Sequence, residues 1–255
     1  MATNEKNCIL GHGACNFAGQ EGTCNRLCFS FIQMHGVSGD TGRVGTGNTP
    51  RSHRLSTTAN TNVRQRQENA YRVIDKYLKR LFEPRDLKDE QLSLYLYSEN
   101  PGTGKTSTAS AILNTYIVKS FINASKKGET PHHFPAYFLD ANEWQTIYNE
   151  ATRQNVPKEI AEDAWEKYYN MKKIAETVPF LVLDDVAVRT ITEGHRGDLH
   201  SLINHRVNNC MPTVYTSNIP ISRLPEVFGE ERLFDRMRDQ TLELDFEGNS
   251  QRGMR

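Results

Sequence analysis

The sequence has no long apolar run. No stretch approaches the roughly 20 residues that a membrane-spanning helix needs. Its first residues, MATNEKNC, lack the apolar core of a secretory leader. The chain also lacks net charge, with 31 Lys and Arg against 31 Asp and Glu, and it has no internal repeat. These absences point to a soluble globular protein of the cytoplasm, with no membrane partner. In a reducing compartment the five cysteines are expected as metal ligands or buried thiols rather than disulfides. A length of 255 residues allows one full α/β domain and a small module.

Neutrality hides an asymmetry. Residues 1–66 carry seven Lys and Arg against three acids, and no acid lies between Thr41 and Gln67. Arg43, Arg51, Arg54, Arg64 and Arg66 fall in that interval. Two readings follow: an anionic partner for this part of the chain, or a soluble basic linker. Four cysteines, Cys8, Cys15, Cys24 and Cys28, precede it. A Gly-rich run from His35 leads into Asn48–Asn62, rich in Ser, Thr and Asn. Too little apolar surface is available there to offset the entropy of ordering, so a flexible linker is expected.

Regular structure resumes near Glu68. Tyr71, Ile74, Leu78 and Leu81 recur at helical spacing as far as Pro84. Strands are expected at 92–97, 136–139, 180–183, 213–216 and 241–246. Helices are expected at 106–124, 143–153, 158–176, 198–208 and 230–238. Alternating strands and helices imply an α/β fold with a parallel sheet covered on both faces.

Asn100-Pro101-Gly102-Thr103-Gly104-Lys105-Thr106-Ser107 lies between a strand and a helix. Glycines let a backbone wrap a phosphate so that successive N–H groups point at its oxygens. Lys105 reaches the β- and γ-phosphates, and Thr106 offers a hydroxyl to Mg²⁺. One position departs from the usual phosphate loop: Glu99 stands where a first glycine is common. A carboxylate there is unfavourable unless it turns away. In Phe180-Leu-Val-Leu-Asp184-Asp185 an apolar strand delivers two acids to its C-terminal edge, where ligands of parallel sheets bind. Asp184 is the expected Mg²⁺ partner and Asp185 the group that polarises the attacking water. Ser217 and Asn218 end another strand, and the Asn218 amide is placed to orient that water; a simple turn Asn before Pro220 is the alternative. Arg232 and Arg236 are four apart on one helical face. A guanidinium there neutralises transition-state charge, or forms an ordinary solvated face.

These blocks, in this order, resemble the bacterial helicase-loader ATPases of the DnaC/DnaI type, a group of the AAA+ class related to the IstB transposition ATPases. The resemblance covers roughly residues 68–255. Its most specific parts are PTVYTSNIP, ERLFDRMRD, and Asp184-Asp185-Val followed by Thr192-Glu193. It implies ATP hydrolysis with Mg²⁺, Lys105 and Thr106 as Walker A, and Asp184 and Asp185 as Walker B. It implies Asn218 as sensor 1, Arg236 as an arginine finger completing a neighbour's site, and Arg252 as the sensor 2 arginine. It further implies self-assembly, a minimal lid, a helical insertion at 143–176 linked to single-stranded DNA, and a hexameric replicative helicase as partner.

By the same resemblance, Cys8, Cys15, Cys24 and Cys28 are zinc ligands in a helicase-gripping module. Their spacings, x6, x8 and x3, are not those of a standard zinc ribbon. His12 or His35 replacing one cysteine, an iron–sulfur cluster, and four unrelated thiols remain open. Cys210 is expected to be a buried apolar residue. The division expected is 1–45 Cys-rich module, 46–66 basic linker and 67–255 AAA+ domain. The functions it implies are a helicase loader, with an IstB-type transposition ATPase or an ATP-binding adaptor of negligible hydrolysis as alternatives.

Overall fold

The computed structural model of the protein describes residues 3–83, 93–186, 191–229 and 231–250. In chain order the helices and strands are α1 (Phe29–His35), α2 (Gly42–Thr46), α3 (Glu68–Arg80), β1 (Ser93–Tyr97), α4 (Lys105–Lys127), β2 (Ala136–Asp140) and α5 (Ala141–Thr152). There follow α6 (Lys158–Thr177), β3 (Phe180–Asp184), α7 (Glu193–Asn208), β4 (Thr213–Ser217), α8 (Leu224–Phe228), α9 (Glu231–Asp239) and β5 (Thr241–Asp245). Each expected strand is found within a residue or two of its expected bounds. Helix α7 begins five residues earlier than periodicity placed it, because Thr192 rather than Gly197 starts the turn. Pro84 and Leu92 lie outside the described residues.

The described residues group into two compact units, 3–83 with 107–138, and 93–106 with 139–250. In the first, α3 buries Tyr71, Ile74, Tyr77 and Leu78 on one stripe, the spacing that its sequence carried. The expected linker, 46–66, is held here by polar side chains together with the buried Val63. The fully buried Asn114 of α4 donates from Nδ2 to the carbonyls of His53 (2.8 Å), Arg54 (3.3 Å) and Ser56 (2.8 Å). Its Oδ1 accepts from the Thr49 hydroxyl at 3.1 Å. The Thr58 N–H donates to Thr115 Oγ1 at 3.0 Å. At the edge of β2, Phe138 N–H donates to the Gly47 carbonyl at 2.8 Å, and Asn48 Nδ2 donates to the Phe138 carbonyl at 2.9 Å. A composition count misses this, because each contact uses a Ser, Thr or Asn that the count scores as soluble.

The run of arginines is likewise partly structural. Arg43 is buried and donates to the carbonyls of Gln33, Pro131 and His132 while lying over the Phe121 ring. Arg54 pairs with Asp40, and Arg64 with Asp75. Arg51 and Arg66 are exposed.

The sheet has the order β2-β3-β4-β1-β5. Strand β1 runs parallel to β4 and to β5, and β3 runs parallel to β4. Strands β3 and β4 are buried at every position, β3 through an apolar run and β4 with Thr213, Thr216 and Ser217 buried among its residues. Strand β5 is buried only at Thr241 and Leu244, as befits a strand at the edge of the sheet. Because β1, β3 and β4 run parallel, the loop after β1 and the end of β3 lie at the same, C-terminal edge of the sheet.

In this second unit Arg206, 1% exposed, ties α7 to its neighbours. It donates to Thr213 Oγ1 and to the carbonyls of Ala175, Val178 and Pro212, all within 3.1 Å. Helices α5 and α6 pack through Trp144, whose indole stacks on Tyr168 at 4.9 Å and donates to the Tyr168 carbonyl. The Tyr168 hydroxyl donates to Asp198, which also takes Lys172, so α6 is fastened to α7. Cys210, expected in the core, is exposed: it follows α7 with a φ of 49°, a turn that carries its side chain outward.

Candidate nucleotide site

The loop after β1 is built by glycine conformation. Gly102 and Gly104 have φ values of 77° and 104°, which side-chain-bearing residues rarely adopt. Helix α4 then starts at Lys105, so its first N–H groups and its dipole face the loop. Lys105 is buried, and its ammonium donates to the carbonyls of Ser98 and Asn100, both at 3.2 Å. This holds the charge inside the curve of the loop. The Thr103 hydroxyl is buried without a hydrogen-bond partner. Asn100 and Ser98 are anchored in turn to the carbonyls of Gly248 and Phe246. Ser107, one residue on, has its hydroxyl 3.4 Å from His53 Nε2.

Glu99 is exposed, and its carboxylate lies with the Tyr97 phenol. Burial pushes that phenol's pKa up, and the hydrogen bond to Glu99 pushes it further. The carboxylate is thereby engaged outside the phosphate loop.

Beside the loop, Asp184 ends β3 and is 3% exposed. Burial raises its carboxyl pKa to about 7, with Asp185 and Asp140 adding to the rise, while hydrogen bonds from Thr216 and Thr106 oppose it. The Thr216 hydroxyl donates to Asp184 Oδ1 at 2.7 Å and accepts the Asp185 N–H at 2.8 Å. Such a carboxylate gains from a cation, and the hard oxygens of Thr106 and Asp184 suit Mg²⁺. Asp185 has a φ of 59°, so the chain turns sharply and its side chain leaves the strand line. Its Oδ2 accepts from Asn142 Nδ2 at 3.3 Å.

Asn142 and Thr216 are absent from the sequence reading. Thr216 was legible in principle, two positions before Asn218 on a strand expected beside Asp184. Asn142 was not: it reaches Asp185 because Asp140 caps α5, accepting the N–H groups of Asn142 and Glu143. Asn218 is half-buried just past β4. Its neighbour Ser217 pairs with Tyr97, so Asn218 stands at the same sheet edge as the loop. Arg236 lies on α9 and does not join this cluster; its guanidinium donates to Asn208 Oδ1 at 2.6 Å and Asn204 Oδ1 at 2.9 Å. Arg252 lies outside the described residues.

The four N-terminal cysteines are half-buried and line one cavity of about 70 Å³ together with Asn4, Phe17 and Phe31. The Asn4 amide nitrogen there is buried and has no partner. Burial raises the Cys8 thiol pKa. Even so, among the described residues no three His, Cys, Asp or Glu side chains are positioned to hold a metal ion. His35 is buried, accepts the Ile9 N–H on Nε2 at 3.0 Å, and has its pKa lowered to about 4 by that burial. That nitrogen is thus occupied, and His12 is exposed. No described helix is long and apolar enough to cross a membrane.

No family model matches the sequence, and no curated protein does. Solved structures share the fold. A DnaI crystal structure aligns over 80% of this chain and 95% of its own, at 16% identity and a TM-score of 0.53. The DnaC helicase loader aligns over 78% and 100%, at 18% identity and a TM-score of 0.52. DnaA of Aquifex aeolicus bound to AMPPCP aligns over 78% of this chain and 51% of its own, at 18% and 0.51. The chain therefore shares the α/β fold of these proteins.

Proposed function

We propose that the protein is a Mg·ATP-dependent loader of a hexameric DNA helicase, acting in the cytoplasm as a side-by-side assembly. The observation that carries the nucleotide part is the joining of the Gly102–Thr106 loop to the buried Asp184 carboxyl through the Thr106 hydroxyl. Lys105 binds the β- and γ-phosphates. Mg²⁺ held by Thr106 and Asp184 would neutralise phosphate charge. Asp185 takes the proton of the attacking water, Asn142 fixes that carboxylate, and Asn218 orients the water from the far side. Arg236 is supplied to the site of a neighbouring chain, and Arg252 is assigned to the bound nucleotide.

The helicase and single-stranded DNA come from the fold shared with DnaC and DnaI and from the sequence blocks that resemble those loaders. Support for a zinc module is narrower: four thiols around one cavity, with an orphaned amide beside them. Metal analysis of the purified chain should find about one zinc, as a closed four-ligand site requires. A folded, metal-free protein would remove that module from the proposal. Affinity capture from the source cell should retain a replicative helicase when ATP is present. Retention of a transposase, with duplex DNA bound as tightly as single strands, would turn the reading to the IstB type.

A further inference from the structure

The guanidinium of Arg236 is held at a defined place on the molecule, although it is exposed and has no carboxylate partner among the described residues. Its Nη1 donates to Asn208 Oδ1 at 2.6 Å and its Nη2 to Asn204 Oδ1 at 2.9 Å. The two amides are one turn apart on α7, and Asn208 Nδ2 donates to Asn204 Oδ1 at 3.3 Å, which fixes how both oxygens point. Asn208 is the last residue of α7, so the cation also sits at the negative end of a helix dipole. Helix α9 is anchored beneath by buried Leu233, Phe234 and Met237. The neighbouring Arg238 is instead paired with Asp235.

We propose that Asn204 and Asn208 are positioning residues that pre-orient Arg236 for the phosphate of an adjoining chain; this rests on the reading of Arg236 as a finger acting in trans. A free arginine side chain loses considerable rotamer entropy when it is immobilised, and the cradle removes that loss before assembly. Neutral acceptors suit the task. A carboxylate would neutralise the guanidinium and compete with phosphate, whereas amide oxygens leave its full charge in place. Two of the five N–H donors are used, and three stay available to phosphate oxygens.

The test uses the full chain with Asn204 and Asn208 both changed to Ala. At protein concentrations that saturate the rate, kcat should fall about tenfold. KM for ATP, nucleotide affinity and melting temperature should stay as in wild type. The N204Q/N208Q pair, which keeps both oxygens, should recover most of the loss. On an Arg236→Ala background the Ala pair should cost nothing further, because the effect runs through the guanidinium. An unchanged or raised kcat, or the same loss on that background, overturns the proposal. If Arg236→Ala itself hydrolyses ATP at the wild-type rate, the finger reading falls and the cradle with it. If only the Ala pair is silent, the finger stands and the cradle alone is refuted.

Discussion

The phosphate loop and the 47–58 segment are both polar, and they are fixed by opposite means. The loop owes its shape to backbone: two left-handed glycines, a helix start and a buried parallel sheet behind it. The 47–58 segment owes its place to side chains, above all to Asn114 and Thr115. Backbone-built features announce themselves in sequence because few residues can substitute. A strap built from scattered amides and hydroxyls reads as a linker. The two buried arginines make the same point: Arg43 and Arg206 each satisfy a set of carbonyls, yet in sequence they are simply two of the chain's basic residues.

The sharpest break in this comparison comes from the loop. Lys105→Ala should lower ATP hydrolysis by at least about 10³-fold, since the ammonium acts on charge that develops in the transition state. Steady-state turnover checks it, and a variant that keeps its rate would place the chemistry elsewhere. The matching change in the strap is Asn114→Ala. It strands three half-buried carbonyls and should cost about 3 kcal/mol, read as a lower denaturation midpoint. A strap that is really a loose linker would show no cost.

Asp184→Asn separates stability from activity. The folded carboxyl titrates at about 7 against 3.8 when free. The folded state therefore binds the proton more tightly over that interval, and stability falls as pH rises from about 4 to 7. Nucleotide-free Asp184→Asn should melt above wild type near pH 8 and level with it near pH 4, while losing Mg²⁺-dependent turnover. Equal melting at both pH values would show that Asp184 titrates normally. The smallest effect is expected for Asn142→Ala, about tenfold in kcat with KM unchanged, because it orients Asp185 without touching substrate. A changed KM would make Asn142 a binding residue.

Part of the sheet was legible because strands such as Ala136–Asp140 and Phe180–Asp184 are short apolar runs ending in an acid. Glycine spacing and the strand–loop–helix context marked Gly102 to Thr106. Asn142 was hidden because its role depends on a cap formed by Asp140 and on β2 lying beside β3. Charge was visible without its use. Arg43, Arg54 and Arg64 are engaged within the protein, leaving Arg51 and Arg66 as the exposed arginines of that run. Helices α5 and α6 carry seven acids against four bases, so single-stranded DNA would have little net attraction to them.

The central claim is that one chain's P-loop and Asp184 need another chain's Arg236. Mixing Lys105→Ala with Arg236→Ala tests it most directly. Each variant alone should keep only a residual turnover. The mixture should regain part of the wild-type turnover, because some interfaces then pair an intact loop with an intact finger. A mixture that stays at that residual level, beside a wild type whose specific activity is independent of concentration, would contradict the account.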